Sequence, residues 1–326
     1  MKVTVKSAQY LGALLIVLAL NFFLPRFMPG DPLAYITADP SVDMPVVMAE
    51  ETREKLLAYY GLDSPVGQQF GQYLVNLSHG DLGWSISFNA PVSEVLLGHL
   101  KWTLLLVGTA TVIYVLLGIT LGVVSAWKRN SKTDIGLLVF LLSLGAWPSF
   151  FLGMLLIIFF SAKLGVLPMS GAETPWVDHG GILGGILDIG RHLVLPATVL
   201  VLAHLSGVYL LTRNSVLNVL GEDYVLAARA KGLSERAVMF RHVLRNALLP
   251  IVTMLALTLG FLLMGTIFVE TVFAYPGMGR LFYEGTIARD YPLIQGAFLL
   301  TAILVIGANF GADMLYGRLD PRVRRQ

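Results

Sequence analysis

Six stretches of this 326-residue chain run for 19 to 28 residues without a single Asp, Glu, Lys or Arg. A helix that crosses the hydrocarbon core of a bilayer needs about 20 predominantly apolar residues. Buried helices of a soluble protein are usually shorter and keep a polar stripe, so six such runs favour membrane spans. We therefore predict an all-α integral membrane protein with six transmembrane helices, at residues 7–25, 102–127, 135–162, 192–212, 246–269 and 291–312.

The composition agrees with a chain whose solvent is partly lipid. Charged residues make up 13% of the chain and its mean hydropathy is +0.72, whereas soluble domains carry about 25% charged residues. The absence of cysteine excludes disulfides, thiolate metal sites and cysteine nucleophiles. A net charge of +2 gives no indication of a nucleic-acid partner.

Lysine and arginine are unevenly distributed between the predicted loops. If the N-terminus is cytoplasmic and six spans alternate, the cytoplasmic segments are 1–6, 128–134, 213–245 and 313–326, and they hold 15 of the 23 basic residues. Cytoplasmic loops carry such an excess, so we predict that both termini are cytoplasmic. The first run could be a secretory signal, but Leu-Pro-Arg-Phe at 24–27 replaces the small residues of a cleavage site, which favours an uncleaved helix.

This topology divides the chain into four parts. Residues 1–27 hold the N-terminal tail and the first transmembrane helix, and residues 28–101 form an extracytoplasmic insert. Residues 102–316 form a five-helix transmembrane core that includes a cytoplasmic loop at 218–246, and residues 317–326 are a cytoplasmic tail.

The insert is rich in Asp and Glu but also carries apolar residues that a folded element could bury. The spacing of residues 50–60 predicts a helix that stops at Gly61, with a turn at 63–65. A disordered loop is the alternative. A second outer loop, at 165–191, is rich in glycine and less informative.

The loop at 218–246 has the pattern of two short helices joined by a tight turn. Acidic residues suit the first helix start and basic residues its end. A glycine can then end the helix in a left-handed conformation, and a serine can cap the next one. The residues in this pattern are Glu222, Asp223, Arg229, Lys231, Gly232 and Ser234.

The first of these helices is slim, and a slim helix can approach the surface of a soluble partner closely. Two larger side chains, Tyr224 and Leu233, flank the slim part as possible anchors. One alternative is a simple connector whose alanines serve helix propensity. A DNA-reading helix-turn-helix is disfavoured because spans on both sides hold the loop at the membrane. The small residues are Ala227, Ala228, Ala230 and Gly232.

The loop resembles the cytoplasmic coupling motif of binding-protein-dependent ABC permeases, in the branch that serves dipeptides, oligopeptides and nickel. That motif has a Glu-Ala-Ala core, a Gly four residues after the second Ala and an Ile-x-Leu-Pro ending. Ala227, Ala228 and Gly232 match it. Leu226 replaces the Glu and Arg245 replaces the Pro, as often happens in this branch. Further landmarks of the branch are similar to segments 22–32, 61–65, 80–83, 270–280, 289–292 and 319–322.

The resemblance implies a permease subunit of an ATP-driven importer in a prokaryotic cell (inner) membrane. Such a permease pairs with a second, homologous permease, two cytoplasmic ATPase subunits and an extracytoplasmic substrate-binding protein. The implied cargo is peptides, although relatives also handle nickel chelates and oligosaccharides. This chain has no Gly-rich phosphate loop, so ATP and magnesium would bind the ATPases and no catalytic residue is expected here. The implied ATPase-coupling residues are Glu222, Asp223, Tyr224, Ala227, Ala228, Arg229, Lys231, Gly232, Leu233 and Ser234.

A few polar residues in or near the spans are candidates for a transport pathway or gate. They are His204, Glu270, Asn309 and Asp313. Each also has a structural alternative: a hydrogen-bonded core histidine, a brace for the outer loop, or a bond to a neighbouring helix. Pro148 and Pro196 are predicted to kink their helices.

Two other classes of function are less consistent with the sequence. An ion-coupled secondary transporter needs ionisable residues deep in its spans, and here almost all charges lie at span ends. A membrane enzyme needs a convergent acid, base or metal set, and the six histidines show no metal-ligand spacing.

Overall fold

The computed structural model describes residues 2–27, 54–55, 57, 63–177, 180–248, 250–251, 254 and 266–319. Most of the fifth predicted span and of the predicted helix at 50–60 lies outside these ranges, as does the end of the C-terminal tail. The chain separates into two compact units: residues 1–101 with 277–306, and residues 102–276 with 307–326.

The described chain is almost entirely helical, with one small hairpin. The helices are α1 (Lys2–Arg26), α2 (Val66–Ser78), α3 (Val92–Trp127), α4 (Lys132–Gly145), α5 (Ser149–Leu156), α6 (Ile182–Leu220), α7 (Asp223–Ala230), α8 (Glu235–Ala237), α9 (Leu244–Ala247), α10 (Ile267–Val272), α11 (Met278–Ala288) and α12 (Tyr291–Leu319). Strands β1 (Trp84–Ser85) and β2 (Ala90–Pro91) pair antiparallel. π-Helical turns at Ile157–Lys163 and Val238–Val243 follow α5 and α8.

Within the described ranges, three helices are long and apolar enough to cross a membrane: α3, α6 and the Tyr291–Gly311 part of α12. They contain the second, fourth and sixth predicted spans. The first predicted span lies in α1, and Leu14–Arg26, the part of α1 whose side chains are described, is apolar. α3 and α6 begin ten residues before the predicted spans, so the second outer loop is shorter than predicted.

The third predicted span is not one straight helix. It consists of α4 and a second arm, Ser149–Lys163, and the two are bent by 94° at the break. Pro148 stands just before the second arm. Proline lacks an N–H and disfavours helical backbone at the residue before it, so the predicted kink becomes a full break. Pro196, in contrast, lies inside the continuous helix α6.

In the first unit, a buried carboxylate ties the hairpin to the start of α12. Asp290 Oδ2 accepts hydrogen bonds from Ser85 Oγ at 2.6 Å, Ser87 N at 2.9 Å and Ser87 Oγ at 2.8 Å. Its Oδ1 accepts from Leu293 N at 3.1 Å, which caps the first turn of α12. The apolar core around it includes Val92 and Leu281.

In the second unit, two glycines let α3 approach α6 closely. A Cβ on Gly118 would lie 2.7 Å from Val208 Cγ1, and one on Gly122 would lie 2.7 Å from Thr212 Cβ. Small residues four apart are a common device for packing membrane helices, because they bring the backbones together. The buried core of this unit includes Tyr209 of α6.

Next to this contact, a buried ion pair joins α3, α4 and α6. Arg213 donates to Asp134 from Nε at 2.7 Å and from Nη2 at 2.8 Å. The same carboxylate accepts from Ser125 Oγ and from Asn130 N. Ser125 Oγ also shares a hydrogen bond of 2.7 Å with the Tyr209 hydroxyl. Asp134 is only 2% exposed, so the carboxylate depends on these donors.

We expect loss of this carboxylate to destabilise the protein strongly. Asp134→Ala leaves Arg213, whose side chain is only 16% exposed, without its counterion, which costs up to about 3–5 kcal/mol. Thermal unfolding of the purified protein in detergent, followed by tryptophan fluorescence, measures the effect.

Glu284→Ala is the matched control because the Arg280–Glu284 pair, at 2.6 Å, is about one-third exposed on each side. Its cost should stay within about 1 kcal/mol. Equal shifts for the two variants would contradict a structural role for the buried pair.

Candidate functional site

The turn between α7 and α8 has the helix-ending geometry that the sequence predicts. Gly232 has a φ of +75°. Its N–H donates to Arg229 O at 2.9 Å, and Leu233 N donates to Ala228 O at 3.4 Å. This pair of bonds is the Schellman pattern, which closes a helix when the residue after the C-cap is left-handed. Lys231 is the C-cap.

The starts of the two helices also follow from local sequence. Ser234 caps α8, and its Oγ accepts from Ala237 N at 3.4 Å, as predicted. Glu222 is the N-cap residue of α7 with extended backbone, although its side chain makes no capping hydrogen bond. Asp223 lies in the first turn of α7, where its charge favours the helix dipole.

One face of α7 is buried against its own chain. Val225 is fully buried and Ala228 is 5% exposed, and both belong to a cluster with Ala126 of α3, Val216 of α6 and Val243. The prediction placed Ala228 on the slim exposed face together with Ala227 and Gly232; the structure places it on the inner face. Its small side chain lets α7 lie close to the ends of α3 and α6.

The opposite face of α7 is exposed and carries little bulk apart from two larger side chains. Leu226 is 56% exposed and Tyr224 is 41% exposed. Ala227 is also exposed, and a Cβ on Gly232 would meet nothing within 4 Å. The Tyr224 hydroxyl accepts from Asn246 Nδ2 at 3.0 Å, which fixes this ring against the segment that follows.

Arg229 holds the two helices and the end of α3 together. It donates to the Glu235 carboxylate from Nε at 3.2 Å and from Nη2 at 3.3 Å. Its guanidinium also lies 5.9 Å from the centre of the Trp127 ring. An exposed ion pair contributes little stability, so its main effect is to orient the turn.

The candidate pathway residues lie in different environments. His204 is partly buried in α6, with its ring 5.6 Å from that of Tyr114. Glu270 is fully buried and accepts from Thr103 Oγ1 at 2.8 Å and from Thr266 Oγ1 at 2.9 Å. These bonds join Glu270 to α3 and to the residue just before α10.

The two candidates in α12 are less defined. Asn309 Oδ1 is buried and has no hydrogen-bond partner in the described part of the chain. The Asp313 side chain lies outside the described residues. Among the residues that the structure describes, no group of three or more His, Asp and Glu could hold a metal ion.

Two sets of residues around this segment were not predicted from the sequence. The Asp134–Arg213 pair joins residues 79 positions apart, and no local pattern signals it. Val225 is different, because the i, i+3 spacing of Val225 and Ala228 is a helical signal for a buried stripe.

Comparison with known proteins identifies a family and several relatives. Residues 118–325 match the family described as binding-protein-dependent transport system inner membrane component. The chain is 38% identical over 320 residues to the oligopeptide transport system permease protein AppB of Bacillus subtilis (strain 168), covering 98% of this chain and 97% of that protein. It is 40% identical over 323 residues to the di/tripeptide transport system permease protein DppB of Pseudomonas aeruginosa (strain UCBPP-PA14), covering 95% and 94%.

The dipeptide transport system permease protein DppB of Escherichia coli (strain K12) is 36% identical over 323 residues, covering 94% of each chain. The family match includes the whole α7–α8 segment. The predicted resemblance is confirmed, and the chain belongs to the family of inner-membrane components of binding-protein-dependent transport systems.

Proposed function

We propose that this chain is the transmembrane permease subunit of an ATP-driven peptide importer and forms half of its translocation pathway. The observation that carries the proposal is the packing of the α7–α8 segment. Its inner face packs on the ends of α3 and α6, and its outer face is exposed. The names of the relatives, which refer to dipeptide, di/tripeptide and oligopeptide transport, support peptides as cargo.

The proposed topology has six spans with both termini in the cytoplasm of a prokaryotic cell. The distribution of Lys and Arg between the loops supports this orientation. It places the α7–α8 segment at the cytoplasmic face and the end of α1, with the insert, at the extracytoplasmic face.

The proposed assembly contains a second homologous permease, two cytoplasmic ATPase subunits and an extracytoplasmic binding protein. ATP and magnesium belong to the ATPase subunits, since this sequence has no Gly-x4-Gly-Lys-Ser/Thr loop. The exposed face of α7, with Tyr224, Leu226 and Ala227, is the proposed docking surface for one ATPase.

The packing provides a route from this surface into the spans. A displacement of α7 moves Val225 and Ala228. These two side chains belong to the same buried cluster as Ala126 at the end of α3 and Val216 near the end of α6. Close-packed side chains transmit such displacements because they leave little free volume. The Asp134–Arg213 pair ties α4 to the same ends, so the three helices are expected to move together.

The composition of the native assembly tests the proposed partners. We expect gentle purification from the native membrane, followed by mass spectrometry, to recover a second permease and ATPase chains together with this one. Recovery of this chain alone, as a homo-oligomer that still transports peptides, would contradict the proposal.

Gly232→Asn tests the docking surface with little effect on the fold. Asn tolerates a positive φ, and a Cβ at this position meets nothing within 4 Å. The added side chain should obstruct the partner, and we expect peptide uptake per ATP hydrolysed in proteoliposomes to fall at least tenfold.

Gly165→Asn is the matched control, because Gly165 also has a positive φ (64°) and open space around it but lies in the loop after the second arm. Uptake should be unchanged in that variant. Normal ATPase assembly and uptake in Gly232→Asn would exclude docking at this turn.

A second pair of variants separates packing from docking on α7 itself. Ala228→Leu inserts bulk into a buried cluster and should lower the free energy of unfolding by about 1–3 kcal/mol. Ala227→Leu lies on the exposed face and should change stability by no more than about 0.5 kcal/mol. We expect Ala227→Leu to weaken ATPase binding nevertheless, as measured by co-purification. Unchanged ATPase binding in Ala227→Leu, with stability preserved, would argue against this face as the docking surface.

A further inference from the structure

The first compact unit contains a cavity of about 610 Å³ with both polar and apolar lining residues. Its wall is formed by the end of α1, one face of α2, the chain just before and within the hairpin, and the first turn of α12. Sites for small molecules usually have volumes of about 300–1,000 Å³. The cavity therefore has the size of a ligand site, and none of the residues assigned to coupling or to the pathway lines it.

A cation with only neutral partners lies in this wall. Arg26 donates to Gln69 Oε1 from Nε at 3.1 Å and from Nη2 at 2.8 Å, and to Phe22 O from Nη1 at 2.8 Å. Its guanidinium carbon lies 3.5 Å from the centre of the Phe22 ring. A guanidinium has five N–H donors, so these three bonds leave capacity for two more. Among the described residues, no carboxylate lies within salt-bridge distance of Arg26, which leaves room for an anionic ligand.

A second observation at the cavity also indicates a missing partner. Gln295 lines the wall and is only 8% exposed. Its backbone oxygen accepts from Asn21 Nδ2 at 2.7 Å, but its side-chain Nε2 is buried and has no hydrogen-bond partner among the described residues. A buried amide donor without a partner destabilises the protein, so a rotation that turns Nε2 into the cavity, towards a ligand acceptor, would recover stability.

Among the other described residues of the wall, all are neutral apart from one carboxylate. Asp81 lines the cavity and accepts from Gly83 N at 2.8 Å through Oδ1. Tyr73 also lines it, and burial raises the pKa of its hydroxyl, which keeps the group neutral. Trp84 adds an aromatic surface. The cavity thus combines one cation, one anion, several side-chain amides and aromatic rings.

We propose that this cavity is a binding site for a short peptide with free termini, whose carboxylate pairs with Arg26 and whose ammonium group pairs with Asp81. Once its side chain turns into the cavity, the amide of Gln295 donates to an oxygen of the same ligand. This inference rests on the proposed function, since the proposed topology places the end of α1 at the extracytoplasmic face. There the cavity receives cargo from the binding protein before the spans open.

Binding of dialanine and two blocked analogues tests the site. The complete complex is placed in nanodiscs without the binding protein, and dissociation constants are measured by calorimetry. Arg26→Gln should weaken dialanine binding at least tenfold but leave the already weaker binding of dialanine amide unchanged. Asp81→Asn should weaken dialanine but not N-acetyl-dialanine. Arg191→Gln changes an exposed arginine outside the cavity and should bind dialanine as the unmodified complex does.

Each outcome decides between the alternatives. Equal dialanine affinity in the unmodified complex and Arg26→Gln overturns the proposal, provided that both show the same thermal unfolding. If Arg26→Gln fails to fold, Asp81→Asn and the two analogues still test the peptide pairing. Retention of a phospholipid by the unmodified complex and its loss from Arg26→Gln, seen by native mass spectrometry without dialanine binding, would assign the cavity to a lipid headgroup instead.

Peptide uptake by the unmodified system tests the proposed function separately. If the unmodified system takes up dialanine and Arg26→Gln binds it with unaltered affinity, the proposed peptide site is wrong but the proposed importer function stands. If dialanine binding depends on Arg26 but no peptide is taken up, the proposed peptide site is supported and peptides are excluded as the transported cargo.

Discussion

A peptide backbone in lipid finds no water to bond its N–H and C=O groups, and this constraint shapes most of the described chain. Helices satisfy these groups within one segment, which explains why α3 and α6 are single helices of 36 and 39 residues. About 20 residues suffice to cross the hydrocarbon core. The additional turns therefore extend into polar surroundings, where side chains can carry charge. Arg213 of the buried ion pair lies near the end of α6, and Ala126 and Val216, which support α7, lie near the ends of α3 and α6.

The packing of α7 on the ends of α3 and α6 explains how a movement of this short helix could displace the two long ones. α7 has only eight residues and would not be stable alone, since isolated helices shorter than about 12 residues are marginal in water. Its stability comes from Val225 and Ala228 packed on α3 and α6, together with the capped turn at Gly232. The contacts that stabilise α7 are therefore the same contacts through which the proposed movement of α7 would reach the spans.

Local rules predict the parts of this structure that local chemistry determines. Gly232 ends a helix, Ser234 caps one and Pro148 breaks one, because each effect depends on the residue and its immediate neighbours. The start of α3 at Val92 was not predicted. A charge-free run indicates which residues lie in the hydrocarbon core, but a helix can extend beyond that core, where a charged residue such as Glu94 is tolerated. The i, i+3 spacing of Val225 and Ala228 indicates a buried stripe, but the surface on which Ala228 packs depends on where α3 and α6 end, which the eight residues of α7 do not encode.

The distribution of polar groups also limits how the proposed cargo could cross. A short peptide carries a carboxylate and an ammonium group, and moving either into a dry interior costs several kcal/mol unless a partner replaces the lost water. The charge-free runs provide no such charged partner, and the Glu270 carboxylate is already engaged by Thr103 and Thr266. The proposed ionic partners, Arg26 and Asp81, line the cavity of the first unit and lie outside the charge-free runs. Passage through this permease therefore requires a hydrated path, and opening such a path alternately to each side is the work for which ATP-driven movement of α7 is proposed.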